Sequence, residues 1–339
     1  MSKYASSSVS VLVDGYDLTP VLVETVSRST EAITQPTAPF GTASEAHEPV
    51  GLVKHTLSLG GALYDQAVDP LHPGFIADGG VGESRIVCVT NEGQTKAKNF
   101  TGYAGAYSQK SEAVVTNGQL VKSNVSFIVS GAAEEGVILQ ELAAKTADWT
   151  TETSDAVDAA DDASSQHIAV TSVSVANPSV ITTDFVHGLA SGDVVAFFDV
   201  IGDVAPDIND NPDAAEAWKL IGHTVTVTGT TTFTIPVNVT NDGTGGYCVV
   251  VQRAKGGAGY LQVTDGATVT NFVGTVRHSV DNSSWADLVV FTDTTTDFDT
   301  AQRVATATTT TAVRRYLAFK GDVTGSGSIT VFAGFARGQ

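Results

Sequence analysis

Alternation of apolar and polar residues at a period of two constrains this chain more than any other feature. Ser8-Val9-Ser10-Val11-Leu12-Val13, His55-Thr56-Leu57-Ser58-Leu59, Ile168-Ala169-Val170-Thr171-Ser172-Val173 and Thr224-Val225-Thr226-Val227-Thr228 all carry it. That period sends successive side chains to opposite faces of a strand, so such runs bury one face of a sheet. Arg85-Ile86-Val87-Cys88-Val89-Thr90 reads as a more deeply buried strand. Leu18 to Val26, Phe100 to Tyr107 and Lys122 to Val129 add others, the last two joined through Asn117-Gly118, a tight-hairpin dipeptide. Tyr260–Val263, Thr275–Val280, Trp285–Phe291, Arg314–Phe319 and Ser328–Phe335 continue the series, with turns expected at 281–284 and 325–327. Short strands at this spacing predict an all-β protein built from a sandwich or barrel and a C-terminal jelly-roll-like sandwich.

Two segments break the pattern. In Ala132 to Lys145, Val137, Ile138, Leu139 and Leu142 fall at helical spacing, with Glu134 and Glu135 early and Lys145 late. That polarity suits the helix dipole and predicts one short helix flanking a sheet. Asn211-Pro212 has the cap and first-turn residues of a second short helix through Leu220.

Other stretches have no period. Residues 28–50 contain Pro36, Pro39 and Pro49 and predict a loop, and 66–82 hold Pro70, Pro73 and Gly79-Gly80. Loops of this length inside a compact domain are usually functional or disordered. Trp149 to Gln166 is acidic and rich in small residues, which predicts a linker. With 339 residues, two or three domains are expected. The pattern divides them as 1–165 with the linker at its end, an inserted small β module at 166–252, and a C-terminal sandwich at 253–339.

Charge narrows the function. The chain carries 18 Lys+Arg against 37 Asp+Glu, a net −19. Residues 1–165 contribute −12, 166–252 contribute −8 and 253–339 contribute +1. None has the basic stripe that phosphate neutralisation needs, so sequence-specific nucleic-acid binding is not expected, and an acidic surface repels DNA. No apolar run approaches a membrane span, and the first eight residues lack the apolar core of a secretory signal, so a soluble protein made in the cytoplasm is expected.

The chemistry-bearing residues are scattered. Cys88 and Cys248 lie in separate apolar runs and read as small buried hydrophobes. The seven histidines show no HxxxH or HExxH spacing, and no GxSxG, Walker A or GxGxxG occurs. Asp207 to Asp213 places metal-ligand types at alternate positions, but Pro212 stands where a calcium loop wants glycine. A polar turn capping a helix is the expected reading there. No cofactor, metal site or enzyme activity is expected.

The N-terminal block resembles the major tail protein, or tail tube protein, of long non-contractile-tailed bacteriophages. The residues that carry the likeness are Val11-Leu12-Val13-Asp14-Gly15-Tyr16-Asp17-Leu18-Thr19, the long loop to Pro49-Val50-Gly51, and Leu57-Ser58-Leu59-Gly60-Gly61. The last block resembles the sandwich that ends many such proteins, through Gly256-Gly257-Ala258-Gly259-Tyr260, the run from His278 through Asp281 and Trp285 to Leu288, and Arg314-Arg315-Tyr316. His187 to Val195 and Thr232 to Ile235 interrupt that pattern and are similar to a small β module of phage virion proteins.

The resemblance implies hexameric rings stacked into a tube, with an acidic lumen through which viral DNA slides during ejection. It implies contact between subunits or rings through Gln35, Pro36, Pro39, Phe40, His47 and Pro49, with a second interface loop at Pro70, His72, Pro73 and Phe75. It further implies a tape measure protein, a tail terminator and a distal tail protein as partners, and a virion location after assembly in the host cytoplasm. A receptor- or glycan-binding virion protein, with the last sandwich as its working part, is the alternative.

Overall fold

The computed structural model describes residues 9–20, 22–36, 47–63, 83–114, 122–131, 133–160, 167–202, 207–210, 222–295 and 300–338. The first part of the chain forms β1 (Ser10–Val13), β2 (Tyr16–Asp17), β3 (Leu22–Pro36), β4 (His47–Leu63), β5 (Ser84–Thr90), β6 (Asn99–Val114), β7 (Lys122–Val129) and β8 (Ala133–Lys145). Two short strands follow, β9 (Trp149–Thr150) and β10 (Val157–Asp158). The middle holds β11 (His167–Val173), β12 (Ser179–Thr183), β13 (Val194–Phe198), β14 (His223–Thr224), β15 (Thr226–Val227), β16 (Thr232–Ile235), β17 (Gly243–Thr244) and β18 (Tyr247–Gln252). The chain closes with β19 (Gly257–Ser279), β20 (Trp285–Val290), β21 (Thr300–Ala305) and β22 (Tyr316–Arg337). The protein is all-β, as its alternation predicts.

These strands make a 14-stranded and an 8-stranded sheet, the second formed by β11–β18 alone. The large sheet forks at β6. Asn99–Tyr103 pair with β8, whereas Ala106–Val114 pair with β7. On one branch, β4 and β7 curl with β5, β6 and β1 around a core of Val11, Val13, Leu57, Leu59, Val87, Val89, Val125 and Phe127. On the other, β22 lies between β8 and β19 over Leu139, Leu261, Phe272, Val276, Phe319, Val331 and Phe335. A middle layer of Leu12, Cys88, Phe100, Ile138, Tyr260 and Phe332 joins them. The first and last thirds of the chain therefore share one sheet, and pairing of β22 with β8, β9 and β10 crosses the expected division between them.

Polar bridges stitch the same seam. Buried Gln262 accepts from the Gly15 N–H at 2.7 Å and donates to the Ile86 carbonyl at 3.2 Å. Tyr260 donates to Glu134, whose carboxylate also receives Arg303 Nε at 2.8 Å. Burial works against the Glu134 charge, but the bonds from Arg303 and Tyr260 outweigh it and hold the carboxyl below its usual range.

Several expectations are corrected. The segment read as a flanking helix is strand β8. Val137, Ile138, Leu139 and Gln140 are all buried because a core cluster covers each face, so the run is apolar without alternation. The acidic stretch read as a linker supplies β9 and β10, both paired to β22, with Val157 and Ala159 buried. The turn expected at 325–327 lies inside β22: the register with β19 shifts between Ala267 and Val269 and again between Val269 and Asn271, and Gly325 takes φ +120° facing Val269. The second expected helix, 211–220, lies outside the described residues.

Candidate assembly interface

The segment expected to be a long loop is largely a two-stranded ribbon. β3 pairs with β4 from Leu22↔Ala62 to Pro36↔His47. β4 in turn pairs with β7, but only from Leu63↔Lys122 to His55↔Val129. Beyond His55 the ribbon continues, with no third strand among the described residues, as residues 31–36 against 47–54. At about 3.3 Å per residue that overhang reaches roughly 20 Å from the sheet.

Exposure along the ribbon follows from this. Thr25 and residues 27–34 of β3 are exposed, and Ile33 (41%) and Val53 (53%) hold apolar side chains in solvent. Polar residues dominate Arg28-Ser29-Thr30-Glu31-Ala32-Ile33-Thr34-Gln35, so the sequence there has no periodic apolar face to bury, and this is why it reads as a loop. Among the described residues the outer edge of β3 has no strand partner. An isolated two-stranded ribbon is marginal in water, and an open edge is a template for another chain.

Arg28 anchors the base of the ribbon. Its Nη1 donates to Thr101 Oγ1 at 2.8 Å and its Nη2 to Asn91 Oδ1 at 2.9 Å, while Thr101 passes its own hydroxyl proton to Glu135 at 2.9 Å. This ties β3 across the curled sheet to β6. On the ribbon itself Ser29 meets Thr56 at 2.6 Å and Thr30 meets His55 Nδ1 at 3.0 Å. Sequence reasoning missed Arg28, since a lone arginine in an aperiodic stretch carries no signal of the strand it will cross.

Of the residues expected at the first interface, Gln35, Pro36, His47 and Pro49 lie on the ribbon. Gln35 stands opposite Glu48, Pro36 opposite His47, and Thr34 opposite Pro49. Pro39 and Phe40 lie outside the described residues, as do Pro70, His72, Pro73 and Phe75 of the second loop. Asp207–Asp210 is not arranged as a metal loop: Asp207 caps Asn209 and Asp210 grips Arg315, and the described residues contain no group of three metal ligands.

The C-terminal motif residues are structural. Asp281 Oδ1 accepts the Ser283 and Ser284 N–H groups at 3.0 and 2.8 Å, which closes the turn before Trp285 and holds its carboxyl well below the usual range. Ser279 pairs with both Trp285 and Tyr316, bringing the two parts of the motif side by side. His278 is buried and accepts the Arg314 N–H at 3.4 Å; burial and the nearby Arg314 and Arg337 push its pKa down to about 4. Arg315 is buried, lies 5.2 Å from the Tyr316 ring, and grips Asp158 and Asp210.

No protein-family model and no curated protein matches the chain. Among solved structures, a chain in the virion of a native gene transfer agent particle is similar at 12% identity and TM-score 0.30, over 39% of this chain and 98% of that one. A chain of the 6-fold symmetrised baseplate of the anti-feeding prophage is similar at 14% identity and TM-score 0.26, over 40% and 97%. The Dit (gp 19.1) protein of SPP1, described as a paradigm of the hub adsorption apparatus in Gram-positive infecting phages, is similar at 10% identity and TM-score 0.26, over 96% and 98%.

Proposed function

We propose that this chain is a structural subunit of a bacteriophage-type tail and, more finely, a tube subunit that closes into six-membered rings and stacks them. The observation that carries the reading is the β3–β4 ribbon: about 20 Å of paired backbone, anchored by Arg28 and left with an open edge. Such an element is costly in a monomer and useful where a second copy covers it. Of the residues that resemble tail tube proteins, Val11–Val13 and Tyr16–Asp17 lie on β1 and β2, and Leu57 to Gly61 lie on β4 at the base of the ribbon. The acidic balance of residues 1–165, net −12, suits a lumen through which viral DNA slides without binding. The tape measure, terminator and distal tail proteins are the partners this role implies, within the virion.

Negative-stain electron microscopy of the purified chain, with particles averaged end-on, tests the reading. Six-fold rings or tubes with a central channel are expected. Discrete trimers that bind a glycan array would overturn it in favour of a receptor-binding protein.

A further inference from the structure

The module at 167–252 joins the large sheet through two adjacent strands of chain. On the way in, β10 pairs Val157 with Leu317 and Asp158 with Tyr316. On the way out, Arg253 bridges to Val313. Both crossings thus meet the same short stretch, 313–317, and Arg315 lies at its centre. The Arg315 guanidinium is 2% exposed and donates to two carboxylates at once. Nε and Nη2 reach Asp158 at 2.8 and 2.7 Å, and Nη1 and Nη2 reach Asp210 at 2.7 Å each. Asp158 belongs to the large sheet, whereas Asp210 belongs to the module and is held there by its N–H bond to the Phe197 carbonyl.

Among the described residues, Arg253 Nε also donates to Asp193 at 3.2 Å at the neck, and the apolar part of the contact is one small cluster. Ala159 packs with Val194, Ala196 and Val251, and Ala160 and Phe198 lie at its rim. A cluster of four buried residues is small beside the cores on either side of it, so it contributes little orientation. A bidentate guanidinium–carboxylate pair is directional as well as strong.

We propose that Arg315 is a latch that sets the angle of the inserted module, and that Asp210 is the half of the latch that opens. The two carboxylates are not equivalent. Without Asp210, Arg315 and Asp158 remain a neutral pair inside the large sheet, so the core keeps no orphaned charge. The module then swings on its neck at 253–256 as an intact body. Without Asp158, Arg315 still grips Asp210 and the module stays docked.

The full chain carrying Asp210→Ala or Asp158→Ala tests this by limited trypsin digestion, read by mass spectrometry, and by small-angle scattering. Arg253 and exposed Lys255 mark the neck. In D210A, first cleavage after Arg253 or Lys255 accelerates at least tenfold and the radius of gyration rises, with an unchanged far-ultraviolet spectrum. D158A matches the parent in both. Equal behaviour of the two variants, no change at the neck, or acceleration at all sites in parallel would each overturn the latch.

Discussion

His223 shows how one side chain makes this fold sensitive to acid. It is 4% exposed, its Nε2 lies 3.3 Å from the Ile208 carbonyl, and Phe197 packs edge-on to its ring. The carbonyl requires a proton on Nε2, so the neutral ring already satisfies the bond. Burial pushes its pKa down to about 4, although the Ile208 carbonyl and Asp210 work in the opposite sense. A histidine whose folded pKa is depressed contributes stability above its unfolded pKa and loses it as pH falls toward the folded value. The loss therefore runs from about pH 6.5 down to about 4, and its full extent is on the order of 3 kcal/mol. His223→Gln keeps a donor for Ile208 and removes the titration. Urea melts at pH 7 and pH 4.5 will show a smaller drop for H223Q than for the parent; equal drops would refute the assignment. At the same scale, the cysteines are as inert as their apolar runs suggest, since burial pushes both thiols up to about 12. The glycines were harder to read. A Cβ on Gly102 would land on the Tyr260 ring, on Gly334 on Phe100, and on Gly321 on Trp149. Each glycine leaves room for an aromatic ring from another strand, a partnership that no spacing within the sequence encodes.

At the scale of elements, β8 and the β3–β4 ribbon depart from their sequence expectation for opposite reasons. β8 is apolar on both faces, so its run of Val137 to Leu139 satisfies helical and strand spacing alike. Residues 27–34 of the ribbon are exposed on both faces, so they show no period at all. Alternation reports a strand best when one face is buried and the other is wet, which holds for β11 and the β4 stretch around Leu57. The ribbon also yields a sharp expectation. Joining Thr30 to His55 through Asn-Gly removes the overhang at a register pair and leaves the pairing of β4 with β7 untouched. That variant should keep the parent's melting temperature within a few degrees and form no rings or tubes under the electron microscope. Rings from the shortened chain would show that the ribbon is not the assembling element.

For the whole molecule, the order of strands decides what can fold alone. β22 is the last strand in the chain, yet it lies between β8 and β19 and also pairs with β9 and β10. Gln262, Tyr260 and Arg303 reach from the last third into the first. Contacts of such sequence separation make folding slow and all-or-none. Ending the chain before Ile329 removes the partner of β8 from Val137 to Lys145 and uncovers Phe100, Ile138 and Tyr260 in the middle layer. The truncated chain should be recovered as insoluble or molten protein, measured by near-ultraviolet circular dichroism, even though residues 1–165 are intact. A soluble product with native-like near-ultraviolet signal would mean that the first block folds alone.

The sequence by itself determined that this is an all-β chain, where most strands fall, that its charge is acidic and unevenly spread, and that residues 167–252 alternate as a block of their own. All of these follow from local periodicity and composition, which neighbours a few residues away are enough to express. Tertiary structure alone decided that β8 is a strand, that the acidic stretch at 149–160 is part of a sheet, and that the first and last thirds share a core. It also placed Arg315 between Asp158 and Asp210. Each of these depends on what covers a face or pairs with an edge from more than a hundred residues away, and a side chain's own neighbours in sequence carry no record of that.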